Sequence, residues 1–586
     1  MLDRRERLKA IVIFVLMLAS AAVEVLGVAS VMPFVAVLGT PEIVTSNRVL
    51  SSIYSWTGLE NERSFLVLLG GAVLVIFLFG LLLRALTTYA LLRYSFVRAH
   101  RFSYSLLSTY LSMPFEFFSG RNTADLSRII FSEVNEVTNG VLLPLLKLLS
   151  SALVVVGMFL LLLFVDPAVT ATVSATLGGS FLLIYVLSRR ALAKLGAERL
   201  SANSRRFVVA NEALGGVKEL KLMGREHGYL ERFRKASLRF ARMQSTAKTM
   251  GDVPHFAIQG IAFGGILILV LYLTSRYQTL DEAIPLIALY AFAGYRLLPA
   301  LQEIFKNGTQ IRFYQSALDN LHADLKPTRG SSRMAKENHS APPQGDIAMA
   351  SISYAYPSAQ GSVVSELSLT IPRGKCVAFV GSTGAGKSTA VDLMMGLLTP
   401  QSGTLSIGGV AITEQNLRAW QQNIGYVPQS IYLADASVTE NIAFGVPQGS
   451  IDQEAVERAA KSAHVHEFVA ELVDGYDTKV GERGTRLSGG QRQRIGIARA
   501  LYHDPDVLVF DEATSALDNA TEAAVMEAVD RLAGHKTIIL IAHRLTTVRR
   551  CDTIFLLSGG RLVGTGTYDE LQASNEEFAR MAAGAS

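Results

Sequence analysis

Six long apolar stretches, at 11–38, 65–92, 141–165, 168–187, 254–273 and 283–301, crowd the first half of the sequence. Each matches or exceeds the roughly 20 residues that an α-helix needs to cross a bilayer core. Inside hydrocarbon no water satisfies the backbone N–H and C=O groups, so such a stretch crosses as a helix. The chain is therefore expected to begin with an α-helical domain of six spans over residues 1–325. Charged residues make up 18% of the chain, below the roughly 25% of soluble domains. That deficit falls mostly before residue 310. The first apolar run follows the basic start Arg4-Arg5-Glu6-Arg7-Leu8-Lys9 and is too long to be the core of a secretory signal.

The formal net charge of +5 would suit a nucleic-acid partner if the excess were clustered on a soluble face. Instead the basic residues flank apolar segments, which excludes nucleic acid and fits the positive-inside rule. Residues 189–248 carry fifteen Lys and Arg, whereas the Asp166-Pro167 connection carries none. The basic stretch, the N-terminus and the C-terminal half are thus expected on the cytoplasmic side. Two cysteines, Cys376 and Cys551, permit no disulfide framework and fit a reducing compartment. Each reads as a buried small hydrophobe.

Two segments between spans, 93–140 and 188–253, are longer than connections need to be and carry apolar residues at helical spacing. They are expected to be helices leaving the membrane and reversing at turns near 119–125 and 211–224. On the other side, 46–59 reads either as an interfacial helix with Trp56 at headgroup level or as an ordered loop. Glu24, Arg84 and Arg296 sit within spans, where ionisable side chains are costly. Arg84 and Arg296 either line a path for an anionic cargo or pair with Glu24 and snorkel to the interface. Pro299 is positioned to kink the last span.

Residues 326–345 are rich in Pro, Gly, Ser and charge and read as a linker. The remainder, 346–586, reads as an α/β domain with a largely parallel sheet, from apolar runs such as 377–380, 507–510 and 538–541. One of these runs feeds Gly381-Ser382-Thr383-Gly384-Ala385-Gly386-Lys387-Ser388-Thr389, and a helical stretch follows. Strand, glycine loop and helix are the setting a P-loop requires. The glycines let N–H groups point at phosphate oxygens, and the helix N-terminus adds partial positive charge. Lys387 would reach the outer phosphates, and Ser388 would offer its hydroxyl to Mg²⁺. Downstream, an apolar strand ends in Asp511-Glu512. Asp511 is placed to hold Mg²⁺, and Glu512 to orient or deprotonate the attacking water.

Leu487-Ser488-Gly489-Gly490-Gln491 resembles the signature sequence of ATP-binding cassette (ABC) proteins. As a Ser-Gly-Gly turn opening a helix, it makes a second N-terminal phosphate site. The resemblance extends over about 346–580. It implies that Gln429 is the glutamine that touches Mg²⁺ and faces the membrane domain. It also implies that Ser515-Ala516-Leu517-Asp518 is the D-loop, His543 the switch histidine near the γ-phosphate and Tyr356 the aromatic stacking on adenine. Glu482, in Gly481-Glu482-Arg483-Gly484, is similar to the coupling segment of exporters. The six spans with long helical extensions resemble the type IV exporter class. One membrane half and one cassette per chain imply a half-transporter. The signature of one subunit would complete the ATP site of another, most simply in a homodimer.

The expected activity is ATP-driven export or flipping across a bacterial cytoplasmic membrane, with ATP and Mg²⁺ as cofactors. The stretches 24–28, 219–226 and 295–299 resemble bacterial flippases of lipid-linked oligosaccharides. A pyrophosphate head would suit Arg84 and Arg296. Export of other glycolipids, lipids or hydrophobic drugs is the alternative within the class. A membrane ATPase that senses or regulates a partner is the alternative outside it.

Overall fold

The structure, a computed structural model, describes residues 4–40, 42–59, 61–276, 280–325, 341–357, 361–511, 527, 534–542 and 545–583. The chain forms two compact units, one of Met1–Leu111 with Arg121–Arg329, the other of Ser112–Gly120 with Gly330–Ser586.

The first unit is α-helical. Six helices among the described residues are long and apolar enough to cross a membrane: Arg4–Gly39, Glu62–Leu111, Thr123–Val165, Pro167–Gly215, Glu226–Ile268 and Ile284–Leu325. Their apolar surface points outward. Only 6% of the most apolar window of Glu62–Leu111 is buried, and Val67, Phe79 and Leu82 are exposed. Such a surface is tolerated in hydrocarbon and not in water. Pro299 lies inside the continuous helix Leu280–Leu325.

The helices break where the short turns were expected, and each reversal also carries a short helix. Pro114 cannot continue the helix Glu62–Leu111, and a short helix, Phe115–Ser119, fills the reversal before Thr123–Arg128. At 211–224 the reversal holds the helix Val217–Met223, closed by Gly224 at φ 60°. The stretch 46–59 contains a helix, Arg48–Thr57. The Asn47 side chain accepts from the N–H groups of Val49 and Leu50, and Gly58 ends the helix at φ 65°. Leu50 is buried beside Val37, Val44 and Phe65, while Trp56 is exposed.

The second unit is α/β. Strands β1 (Ile347–Tyr354), β2 (Val364–Ile371), β4 (Ser402–Ile407) and β5 (Val410–Ala411) make an antiparallel sheet in the order β2-β1-β4-β5. A larger sheet takes β3 (Cys376–Val380), β6 (Ile424–Val427), β7 (Val507–Asp511), β8 (Thr537–Ile541), β9 (Thr553–Ser558) and β10 (Arg561–Gly566) in the order β10-β9-β3-β8-β7-β6. All of it is parallel except the β9–β10 pair. Period-two alternation divides its strands between two cores. Ala378, Val380, Leu508, Phe510, Ile538 and Leu540 face one layer, with Val456 and Ile495. Val377, Phe379, Val507, Val509, Ile539 and Ile541 face the other, with Met394 and Trp420. A sheet buried on both faces needs apolar residues at every position, which is why these strands read as unbroken apolar runs.

Candidate functional site

In a parallel sheet the crevice at the carboxyl ends of the strands is where ligands bind. Here β3 ends in the glycine loop and β7 ends in Asp511. Gly381 and Gly386 are required by space as well as by φ. A Cβ on Gly381 would lie 2.2 Å from the Leu557 carbonyl oxygen, and one on Gly386, at φ 96°, 2.9 Å from that of Val363. Gly386 caps the helix Lys387–Met394, whose first-turn N–H groups at Lys387, Ser388 and Thr389 have no acceptor within the helix. Lys387 is 6% exposed. Its ammonium donates to the carbonyl oxygens of Gly381 at 2.7 Å and Ser382 at 3.1 Å. A buried ammonium held at the loop's own carbonyls, at the N-terminal end of a helix, fits an anionic phosphate group.

Two residues that the sequence reading did not single out complete this corner. The Tyr426 hydroxyl donates to Asp511 Oδ2 at 3.3 Å. Burial and the neighbouring Asp511 push the Tyr426 hydroxyl well above its ordinary range. Asp392, from the helix that follows the loop, has its carboxyl pushed up to about 6 by burial and then by Asp511. Two carboxylates that disfavour each other's ionisation form a site that a divalent cation would relieve. The donor set of Asp511 and the Ser388 hydroxyl fits Mg²⁺, which takes oxygen ligands. Gln429 follows β6 on an exposed loop.

Tyr356 is brought to the loop, with its hydroxyl 3.4 Å from Thr389 Oγ1. Its ring meets Tyr354 edge-on at 5.1 Å. The Tyr354 hydroxyl donates to Glu116 Oε1 at 3.1 Å, and Glu116 belongs to the Ser112–Gly120 piece of this same unit. Ser488 caps the helix Gly489–Leu501 through a reciprocal box: Gln491 N–H donates to Ser488 Oγ at 3.2 Å, and Ser488 N–H donates to Gln491 Oε1 at 2.9 Å. The cap fixes the backbone of Gly489 and Gly490 at the open end of the helix. Glu482 lies in a single 3₁₀ turn, Glu482–Gly484, and is exposed. Glu512, Asp518 and His543 lie outside the described residues.

In the helical unit Arg84 and Arg296 line one cavity of about 350 Å³, together with Glu24, Lys147 and Glu303. Arg84 Nη1 lies 3.6 Å from Glu24 Oε1, yet the Arg84 side chain remains half exposed. The Arg296 guanidinium lies 5.0 Å from the centre of the Phe77 ring. Lys147 and Glu303 were missed because nothing local in their sequence sets them apart; only the packing of separate helices brings them to the cavity. A second cavity, of about 560 Å³, is mainly apolar and includes Ile266, Tyr290, Leu297 and Leu298. It shares Tyr295 and Pro299 with the first.

Residues 364–515 match the family model described as ABC transporter, and residues 27–281 match the model described as ABC transporter transmembrane region. An ATP-dependent lipid A-core flippase of Saccharophagus degradans is 30% identical over 487 residues, covering 81% of this chain and 80% of that protein. ABC transporter B family member 14 of Arabidopsis thaliana is 31% identical over 488 residues, but this chain spans only 38% of its length. A solved structure of a bacterial Atm1-family ABC exporter with ATP bound superposes with a TM-score of 0.79, at 22% identity, over 99% of each chain.

Proposed function

Because the chain belongs to the ABC transporters, as a multi-span, ATP-binding and ATP-hydrolysing translocase of that family, we propose that it moves a lipid-linked oligosaccharide or a related glycolipid across a bacterial inner membrane, working as a homodimer. The observation that carries the cargo reading is the charged cavity in the helical unit. Arg84, Lys147 and Arg296 outnumber Glu24 and Glu303 there. Cations gathered in one cavity attract a phosphate-bearing head, and guanidinium groups bind it with two parallel hydrogen bonds. The adjoining apolar cavity suits a hydrocarbon chain on the same molecule. An amphiphile with an anionic head is the ligand that fits both. Lipid A-core, named for several bacterial relatives, is a molecule of this general kind.

In the nucleotide site, Lys387 and the first-turn amides of 387–389 bind the outer phosphates, and Tyr356 stacks on the adenine. Ser388, Asp511 and Gln429 would hold Mg²⁺. When bound, that ion neutralises charge between the outer phosphate oxygens. Tyr426 holds the Asp511 carboxylate in place by its hydrogen bond. Glu512 orients and deprotonates the attacking water, and His543 faces the terminal phosphate. Ser488, Gly489, Gly490 and Gln491 of one protomer, with Asp518, close over the nucleotide of its partner. Closure then reorients the helices, and hydrolysis resets them. The basic stretch 189–248 faces the cytoplasm, as do the N-terminus and the nucleotide-binding unit.

The test is transport of a fluorescent polyprenyl-pyrophosphate glycolipid by the reconstituted protein. Arg84→Ala with Arg296→Ala is expected to abolish most ATP-dependent flipping while basal ATP hydrolysis persists. Wild-type flipping by the double variant removes the cargo assignment and leaves the ATPase assignment standing.

A further inference from the structure

Cys376 and Cys551 are the only cysteines of the chain. The fold brings their sulfurs to 3.3 Å across a sequence separation of 175. The sequence gives no hint of this, because the contact depends on the parallel pairing of β3 with β9, in which Val377 lies beside Thr553. The first residue of β3 and the residues just before β9 therefore meet. Their backbones are also tied together. The Asp552 N–H donates to the Cys376 carbonyl oxygen at 2.9 Å. The Cys376 N–H donates to Asp552 Oδ2 at 2.9 Å. The Lys375 ammonium holds Asp552 Oδ1 at 3.0 Å. A sheet ladder and three hydrogen bonds thus fix the two cysteines side by side.

We propose that Cys376 and Cys551 form an oxidisable dithiol, which a low-molecular-weight disulfide converts to an intrachain disulfide joining the entries of β3 and β9. Cys376 is partly exposed and Cys551 buried, which sets the order of events. The Cys376 thiolate attacks the small disulfide, one of its thiolates leaves, and a mixed disulfide remains on Cys376. The Cys551 thiolate then attacks the Cys376 sulfur, the Cys376–Cys551 bond forms, and the second small thiolate departs. The protein dithiol is oxidised by two electrons, the small disulfide is reduced by two, and the two thiol protons end on the two released thiolates. An S–S bond is about 2.0 Å long, so the sulfurs have only to approach by roughly 1.3 Å. Cys376 begins β3 and the glycine loop follows its other end, so the bond forms away from the phosphate-binding residues. A cross-link closing so long a loop restricts the unfolded chain, so oxidation raises the thermal midpoint of this unit. The proposal stands apart from the transport reading and survives its failure.

The test uses the full-length protein in detergent, incubated with oxidised glutathione, denatured, alkylated with N-ethylmaleimide and weighed intact. Wild type is expected to take two labels before oxidation and none after, with no retained glutathione, and dithiothreitol restores both. Cys551→Ala is expected to stop at the mixed disulfide and keep one glutathione. The midpoint rises on oxidation in wild type and stays constant in Cys376→Ala. Retention of both labels after oxidation, two retained glutathiones, or disulfide-linked dimers in wild type would overturn the assignment. An unchanged wild-type midpoint overturns its mechanical consequence.

Discussion

Lys387 and Asp392 lie five residues apart near the phosphate loop, and they lend themselves to opposite kinds of prediction. The Lys387 ammonium is held by carbonyl oxygens that accept without being ionised. Its removal therefore breaks no ion pair with those two partners, and the domain should stay folded. Lys387→Ala is expected to lower ATP turnover by on the order of 100-fold, the scale of losing one preorganised charge-stabilising donor. Circular dichroism alongside the ATPase assay separates this from unfolding. Asp392 has its carboxyl raised from 3.8 to about 6. Between those values the folded state binds more protons than the unfolded state, so its contribution to stability is present in acid and lost as pH rises through about 6. In metal-free protein, Asp392→Asn should gain on wild type across that window and hold a constant advantage above it. Thermal midpoints from pH 4 to 8 read this directly; a difference that does not vary with pH would falsify the assignment. The loop was legible in the sequence because consecutive residues carry its chemistry. Asp392 and Tyr426 were not, because their proximity to Asp511 arises from the β6–β7 pairing and from the helix that follows the loop.

Helices and strands add constraints that no single residue shows. The helix Pro167–Gly215 approaches Leu280–Leu325 so closely that a Cβ on Gly196 would fall 2.0 Å from the Phe313 carbonyl oxygen. Backbone atoms cannot step aside as a flexible side chain can. Gly196→Ala should therefore force the helices apart and destabilise the helical unit by about 1–3 kcal/mol, the range of overpacking. Gly179→Ala, on the same helix with open space around its Cβ, is the matched control. Thermal unfolding in detergent distinguishes them, and equal midpoints would show that the helices are free to separate. The positions of the helices were readable from apolar length alone, because a bilayer fixes how long a span must be. The details were not. A short turn was expected at 119–125, and residues 120–122 supply it, but the short helix Phe115–Ser119 that leads into it had no mark in the sequence. The stretches Ile129–Glu133 and Thr138–Leu142 adopt π-helical turns inside the next span. Such departures answer to neighbouring helices, and hydropathy carries no record of them.

At the scale of the molecule, one phosphate loop and one signature per chain leave a choice of geometry. If each ATP were enclosed within one chain, the loop at 381–389 and the cap at 488–491 would serve the same nucleotide. In the proposed homodimer they serve different ones. Complementation decides between these arrangements. Lys387→Ala disables the loop, and Ser488→Arg places a bulky cation at the mouth of the Gly489–Leu501 helix. A homodimer of either variant has no intact composite site, since each of its sites lacks one half. A mixed dimer has one site with both halves damaged and one with the loop of the Ser488→Arg chain and the signature of the Lys387→Ala chain, both sound. Co-expression of two inactive variants, purified through tags on both, is therefore expected to restore ATP turnover. Enclosure within one chain predicts that the mixed preparation stays as inactive as its parents, because every site then carries one lesion.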